Sequence, residues 1–138
     1  MKAGELRRRI LAEHEKLRGM LDALTELSEG GDETVGATLR EEAHALYEAF
    51  AAHLLHEEHT LEPALRRAGA AGAQLAEELA REHCEQRELL VYLVSRLEKH
   101  PHPTLLVARE VRSFIESVRL DMAHEETTLL STVALPEE

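Results

Sequence analysis

The chain has no tryptophan, two phenylalanines and two tyrosines, so aromatics supply only 3% of its 138 residues. A core must therefore be built from Leu, Val, Ala and Ile. Cysteine is nearly absent as well: Cys84 stands alone, which excludes an intramolecular disulfide and fits a reducing cytoplasm. No apolar run approaches the roughly 18 residues of a membrane span, and no charged-then-apolar leader opens the sequence. Positive charge is also short. The net charge of −11 argues against electrostatic binding of nucleic acid or of an anionic membrane. Strand signals are almost missing.

What is present is a globular composition, 43% hydrophobic and 31% charged, expected to form one domain over residues 1–138. Three breaker clusters, "SEGGDET" (28–34), "RRAGAAGA" (66–73) and "HPHPT" (100–104), divide it. Four segments rich in Leu, Ala, Glu and Arg lie between them, at about 5–27, 35–65, 74–99 and 104–132. Short connections make successive helices antiparallel neighbours, so the expectation is an all-α, up-down-up-down four-helix bundle. Pro63 falls inside the second segment and should bend that helix or end it early.

Each segment carries an apolar stripe at three/four spacing: Ile10, Leu17, Leu21 and Leu24; Leu46, Phe50, Leu61 and Ala64; Leu75, Leu79, Leu90, Leu93 and Leu97; Val107, Val111, Phe114, Val118 and Leu129. Every stripe is interrupted. His14 fills the first gap, His53 and Glu57 the second, His83 (followed by Gln86) the third, Asp121 and Glu125 the fourth. At about 1.5 Å per residue, His14 and His83 lie roughly 14 Å into their helices. On the same rise the His53/Glu57 and Asp121/Glu125 pairs lie roughly 14–15 Å before the ends of theirs. In an antiparallel bundle these depths coincide, so six ionisable side chains share one inward layer. Burying them without partners would cost several kcal/mol each, so something must compensate them.

Three imidazoles and three carboxylates exceed the four ligands of a single zinc and suit a pair of first-row metals bridged by carboxylates. Iron is the first expectation, with manganese or zinc as substitutes. Glu57 and Glu125 would bridge; His14 and His53 would cap one ion, His83 and Asp121 the other. His124, beside Asp121 and Glu125, is an alternative ligand on the last helix. A zinc-protease reading of "HLLHEEHT" fails, because H-E-x-x-H from His56 would need histidine where Thr60 stands. A ferritin-like reading ranks last, since the single Glu-x-x-His, Glu41 to His44, is poorly placed for the layer. His44, His56 and His59 read as solvated, His100 and His102 as loop residues, and Cys84 as a small packed side chain. Glu13, Glu15, Glu58, Glu82 and Glu126 flank the ligands and read mainly as solvated acids.

Taken together, "LAEHEKL" around His14, "HLLHE" followed by "LEPAL", "REHCEQ" around His83 and "DMAHEETTLL" resemble the haemerythrin-like, or HHE cation-binding, family over nearly the whole chain. The resemblance implies a bundle holding two iron ions, oxo- or hydroxo-bridged, that carries, senses or reacts with O2, peroxide or NO. Two departures bear on activity. The family's fourth helix places a histidine four or five residues before its carboxylate, where this chain has Asp121. Its O2 carriers place a second histidine four residues after the one matching His83, where this chain has Arg87. Exchanging imidazole for anionic oxygen favours the ferric ion, so redox or peroxide chemistry, or sensing, is expected above reversible O2 carriage. The competing expectations are a metal-storage or metal-sensing module without turnover, and a structural bundle whose polar layer fixes register.

Overall fold

The computed structural model describes residues 2–29, 35–99, 105–132 and 134–136. Helix α1 spans Ala3–Glu29, α2 Val35–His59, α3 Leu61–Arg67, α4 Ala70–Lys99 and α5 Leu105–His124, with a π-helical turn over Glu125–Leu129. Among the described residues there is no strand, and no helix is long and apolar enough to cross a membrane. Residues 30–34 and 100–104, which include most of two breaker clusters and both His100 and His102, lie outside the described residues.

The rods α1, α2–α3, α4 and α5 form an up-down-up-down four-helix bundle, in which α1 and α4 each pack beside both α2 and α5. Two apolar clusters fill it. One gathers Leu17, Leu21, Leu24, Phe50, Leu90, Leu93, Val118 and Met122; the other gathers Leu6, Ile10, Leu61, Leu65, Leu79, Leu129 and Leu130. Phe50 and Phe114 meet edge to face in the first, with ring centroids 6.5 Å apart. Every rod passes from one cluster to the other, and the polar interruptions fall at the crossing. His14 lies between Ile10 and Leu17, Glu57 between Leu54 and Leu61, His83 between Leu79 and Leu90, Glu125 between Met122 and Leu129.

Three local devices shape the rods. The second breaks at Thr60 (φ −122°, ψ −57°), because Pro63 has no N–H to offer the His59 carbonyl. Helix α3 therefore restarts with Pro63 inside its first turn, where a missing donor is tolerated. Helix α4 begins at Ala70, earlier than the 66–73 breaker suggested: only Ala68 and Gly69, the latter at φ +126°, are left to reverse the chain. Gly72 allows α4 to cross the end of α3, since a Cβ there would stand 2.1 Å from the Leu65 carbonyl oxygen. Finally, the last rod does not run as regular helix to residue 132. The Leu130 N–H donates to the Glu125 carbonyl at 2.8 Å, and this wider turn keeps Glu125, Leu129 and Leu130 all facing inward.

Candidate metal centre

At the crossing of the two clusters, His14, Glu57 and His83 have no solvent exposure, and His53 and Glu125 are nearly as buried. His14, His53, Glu57 and Glu125 each present one ligating atom, and these four atoms all lie within 4.8 Å of one another. The rings of His14 and His53 stand edge to face with centroids 4.9 Å apart. His83 approaches from α4, its Nε2 3.3 Å from Glu57 Oε1, the same oxygen that lies 3.0 Å from His53 Nε2. His14 Nε2 is 3.4 Å from Glu125 Oε1.

Each imidazole is held from behind by a carboxylate of the neighbouring helix. His53 Nδ1 donates to Glu13 of α1 at 2.8 Å, His83 Nδ1 to Glu58 of α2 at 3.3 Å, and His14 Nδ1 to Glu126 of the π turn at 2.7 Å. Cations steady two of these acids: Arg18 lies 2.8 Å from Glu126 and Arg87 2.5 Å from Glu58. His56 Nδ1 sits 2.6 Å from the second oxygen of Glu13. An ionised carboxylate only accepts, so it fixes the proton on Nδ1 and turns the Nε2 lone pair toward the centre. The three clamps close the α1/α2, α2/α4 and α1/α5 seams.

The electrostatics follow from this packing. Arg87 bonded to Glu58 holds that carboxyl below its usual range. Burial would raise Glu126, but its bonds to His14 and Arg18 prevail and lower it. Burial lowers His14. It pulls on His53 in the same direction, yet the Glu57 carboxylate 3.0 Å away and the bond to Glu13 outweigh it and leave His53 raised. Burial pushes Glu125 well up, and the Glu57 carboxylate beside it adds to the rise. Glu57 goes the other way, held down against its burial by Glu125, His53 and His83.

The arrangement fits a metal cation. His14 Nε2, His83 Nε2, both oxygens of Glu57 and Glu125 Oε1 are buried without a hydrogen-bond partner. An unmet buried polar atom costs about 1–3 kcal/mol, and one cation shared among nitrogen and carboxylate donors would satisfy several of these at once. The donor types, neutral imidazole and carboxylate, suit iron, manganese and zinc alike.

The fourth seam, between α4 and α5, is built differently. The half-buried Asp121 accepts a hydrogen bond from Gln86 Nε2 at 2.7 Å, and burial raises its carboxyl. Gln86 is only 4% exposed, and its Oε1 is buried without a partner. Glu82, preceding His83, is pushed up to about 7 by burial and by the charge of Asp121, and its Oε1 too is buried and unpartnered.

Of the seven residues the spacing nominates, the structure brings His14, His53, Glu57, Glu125 and His83 together. It ties Asp121 to Gln86, and it leaves His124 exposed, 3.5 Å from Thr128 Oγ1. Cys84 is exposed rather than packed, because it lies about 100° round α4 from the inward His83. Glu13, Glu58 and Glu126 do more than face solvent; their signal in the sequence is that each adjoins a ligand of its own helix. Residues 6–133 match the model of the hemerythrin family, described as the Hemerythrin HHE cation binding domain, and the chain belongs to that family. Neither the curated proteins nor the solved structures compared with the chain gave a match.

Proposed function

We propose that this hemerythrin-family chain is a cytoplasmic non-haem iron protein that takes up to two ions and reacts with, or senses, O2, peroxide or NO. The observation that carries the reading is the convergence of inward Nε2 atoms, their protons fixed on Nδ1 by Glu13, Glu58 and Glu126, on the unpartnered oxygens of Glu57 and Glu125. Bound iron would supply one-electron chemistry toward a small oxidant. The chain's own residues supply the rest. Glu57 and Glu125 carry the negative charge that balances a cation, the histidines orient it, and the two leucine-rich clusters exclude bulk water from either side. With few imidazoles and two buried carboxylates, the site favours the ferric state, hence redox or sensing work over reversible O2 carriage.

The test is iron counting after anaerobic reconstitution, followed by optical spectra on exposure to air and to peroxide. Bound iron whose spectrum changes irreversibly with oxidant supports the reading. A spectrum that returns on removal of O2 would restore the carrier, and bound metal inert to every oxidant would leave metal storage. A chain that takes up no metal after reconstitution would instead make the layer a register-fixing polar network.

A further inference from the structure

The four sides of the centre are not equivalent. On three of them, an acid adjoining one ligand reaches round to the imidazole of the next helix: Glu13 to His53, Glu58 to His83, Glu126 to His14. On the fourth, Glu82 occupies the equivalent place beside His83, but the imidazole that α5 carries near this depth, His124, faces solvent. It offers Asp121, which has turned to Gln86. Glu82 Oε1 and Gln86 Oε1 are left buried and unpartnered there, as is the Nε2 of the fully buried His83.

From this asymmetry we infer that the chain binds two cations unequally, a tight one among His14, His53, Glu57 and Glu125 and a weaker one beside His83, whose missing ligand, Asp121, is held away by Gln86. The inference rests on the proposed metal-binding function and deepens it. The first four residues already offer donor atoms within 4.8 Å of one another. Donors on opposite sides of one first-row ion stand about 4.2 Å apart, so that group needs little movement. His83 lies outside it, and its Nε2 faces Glu57 Oε1, an oxygen it shares with His53. One nitrogen and shared carboxylates make a poor site. Ligation there improves only if Asp121 exchanges its 2.7 Å bond to Gln86 for the cation. Loading is therefore sequential, and the second step includes breaking the Gln86–Asp121 bond.

Calorimetric titration of the metal-free chain with ferrous iron, oxygen excluded, tests this, with chelator competition as a second readout. Wild type should show two steps separated by at least about tenfold in affinity. Gln86→Leu, which releases Asp121 while filling the same buried space, should tighten the second step about tenfold and leave the first unchanged. Asp121→Ala should abolish the second step alone, with helical content retained. Two ions bound with equal affinity would overturn the inference, as would a single ion in both wild type and Gln86→Leu. So would loss of the second step in Glu82→Gln with its retention in Asp121→Ala. Absence of any binding would refute the metal function itself, which is a separate outcome.

Discussion

Glu13 of α1 accepts a hydrogen bond from His53 Nδ1 at 2.8 Å across 40 residues of sequence, and it does so from the position just before His14. Two helices thus each furnish an inward imidazole, and one of them also furnishes the acid that orients its neighbour's. Carboxylates in this position raise the basicity of a ligating imidazole and fix its tautomer. Glu13→Ala should therefore weaken metal binding about 10- to 100-fold while the bundle still folds. Chelator competition measures it; an unchanged affinity would show that His53 needs no support.

Metal binding should also appear as stability. A ligand at about 100 times its dissociation constant adds roughly 2.7 kcal/mol to the native state, on the order of 10 °C in Tm for a chain this size. The expected result is a rise of that order for wild type on adding ferrous iron and none for His14→Ala/Glu57→Ala. A comparable rise in the double variant would place binding elsewhere.

Two glycines give opposite signs. At Gly72 a Cβ would stand 2.1 Å from the Leu65 backbone oxygen, so Gly72→Ala must push α3 and α4 apart and should destabilise by about 1–3 kcal/mol. Gly19 lies within α1 with nothing within 4 Å of a Cβ, so Gly19→Ala should stabilise by about 0.5–1 kcal/mol through helix propensity alone. Urea midpoints of the two variants would settle both signs.

In the metal-free chain Glu82 makes stability depend on pH. Its folded pKa, about 7, lies above the ordinary 4.5, because burial and the charge of Asp121 disfavour ionisation. The folded state binds the proton more tightly, so this contribution is fully present below about pH 4.5 and is lost as pH rises through about 7. Glu82→Gln should therefore match wild type near pH 4 and exceed it near pH 8, by about 1–2 kcal/mol once the side chain's partial exposure is discounted. Equal stabilities at both pH values would contradict the buried setting of this acid.

The layer was legible in the sequence because His14, Glu57, His83 and Glu125 each break an apolar stripe at a depth that simple helical rise makes equal. The acids behind them were not. In a chain with 27 acidic residues, a glutamate beside a ligand carries little signal, and whether it reaches the next helix depends on seam geometry that one helix's periodicity does not contain. The end of α2 was readable from Pro63. The π turn was not, since "EETTL" differs little from ordinary helix and its register is set by Leu129 and Leu130 both packing inward. Asp121 shows the limit most clearly: its spacing is right for the layer, yet the local bond to Gln86 decides which way it faces.

That bond points to the last prediction. Asp121→His would give α5 the imidazole that the other three sides of the centre possess. Its Nδ1 would then have Glu82 available as an acceptor, as His53 has Glu13. Glu82, now raised to about 7, would gain a donor for its ionised form, and its pKa should fall toward the ordinary carboxylate range. The new Nε2 would supply the nitrogen that the His83 side lacks, without needing to leave Gln86. Two cations should then bind with similar affinity, in place of a strong and a weak step. Carboxyl titration by NMR reads the first change in the metal-free chain, and calorimetry reads the second. If Glu82 stays near 7 and the second ion remains weak, the acids round this centre are not interchangeable from one side to the next.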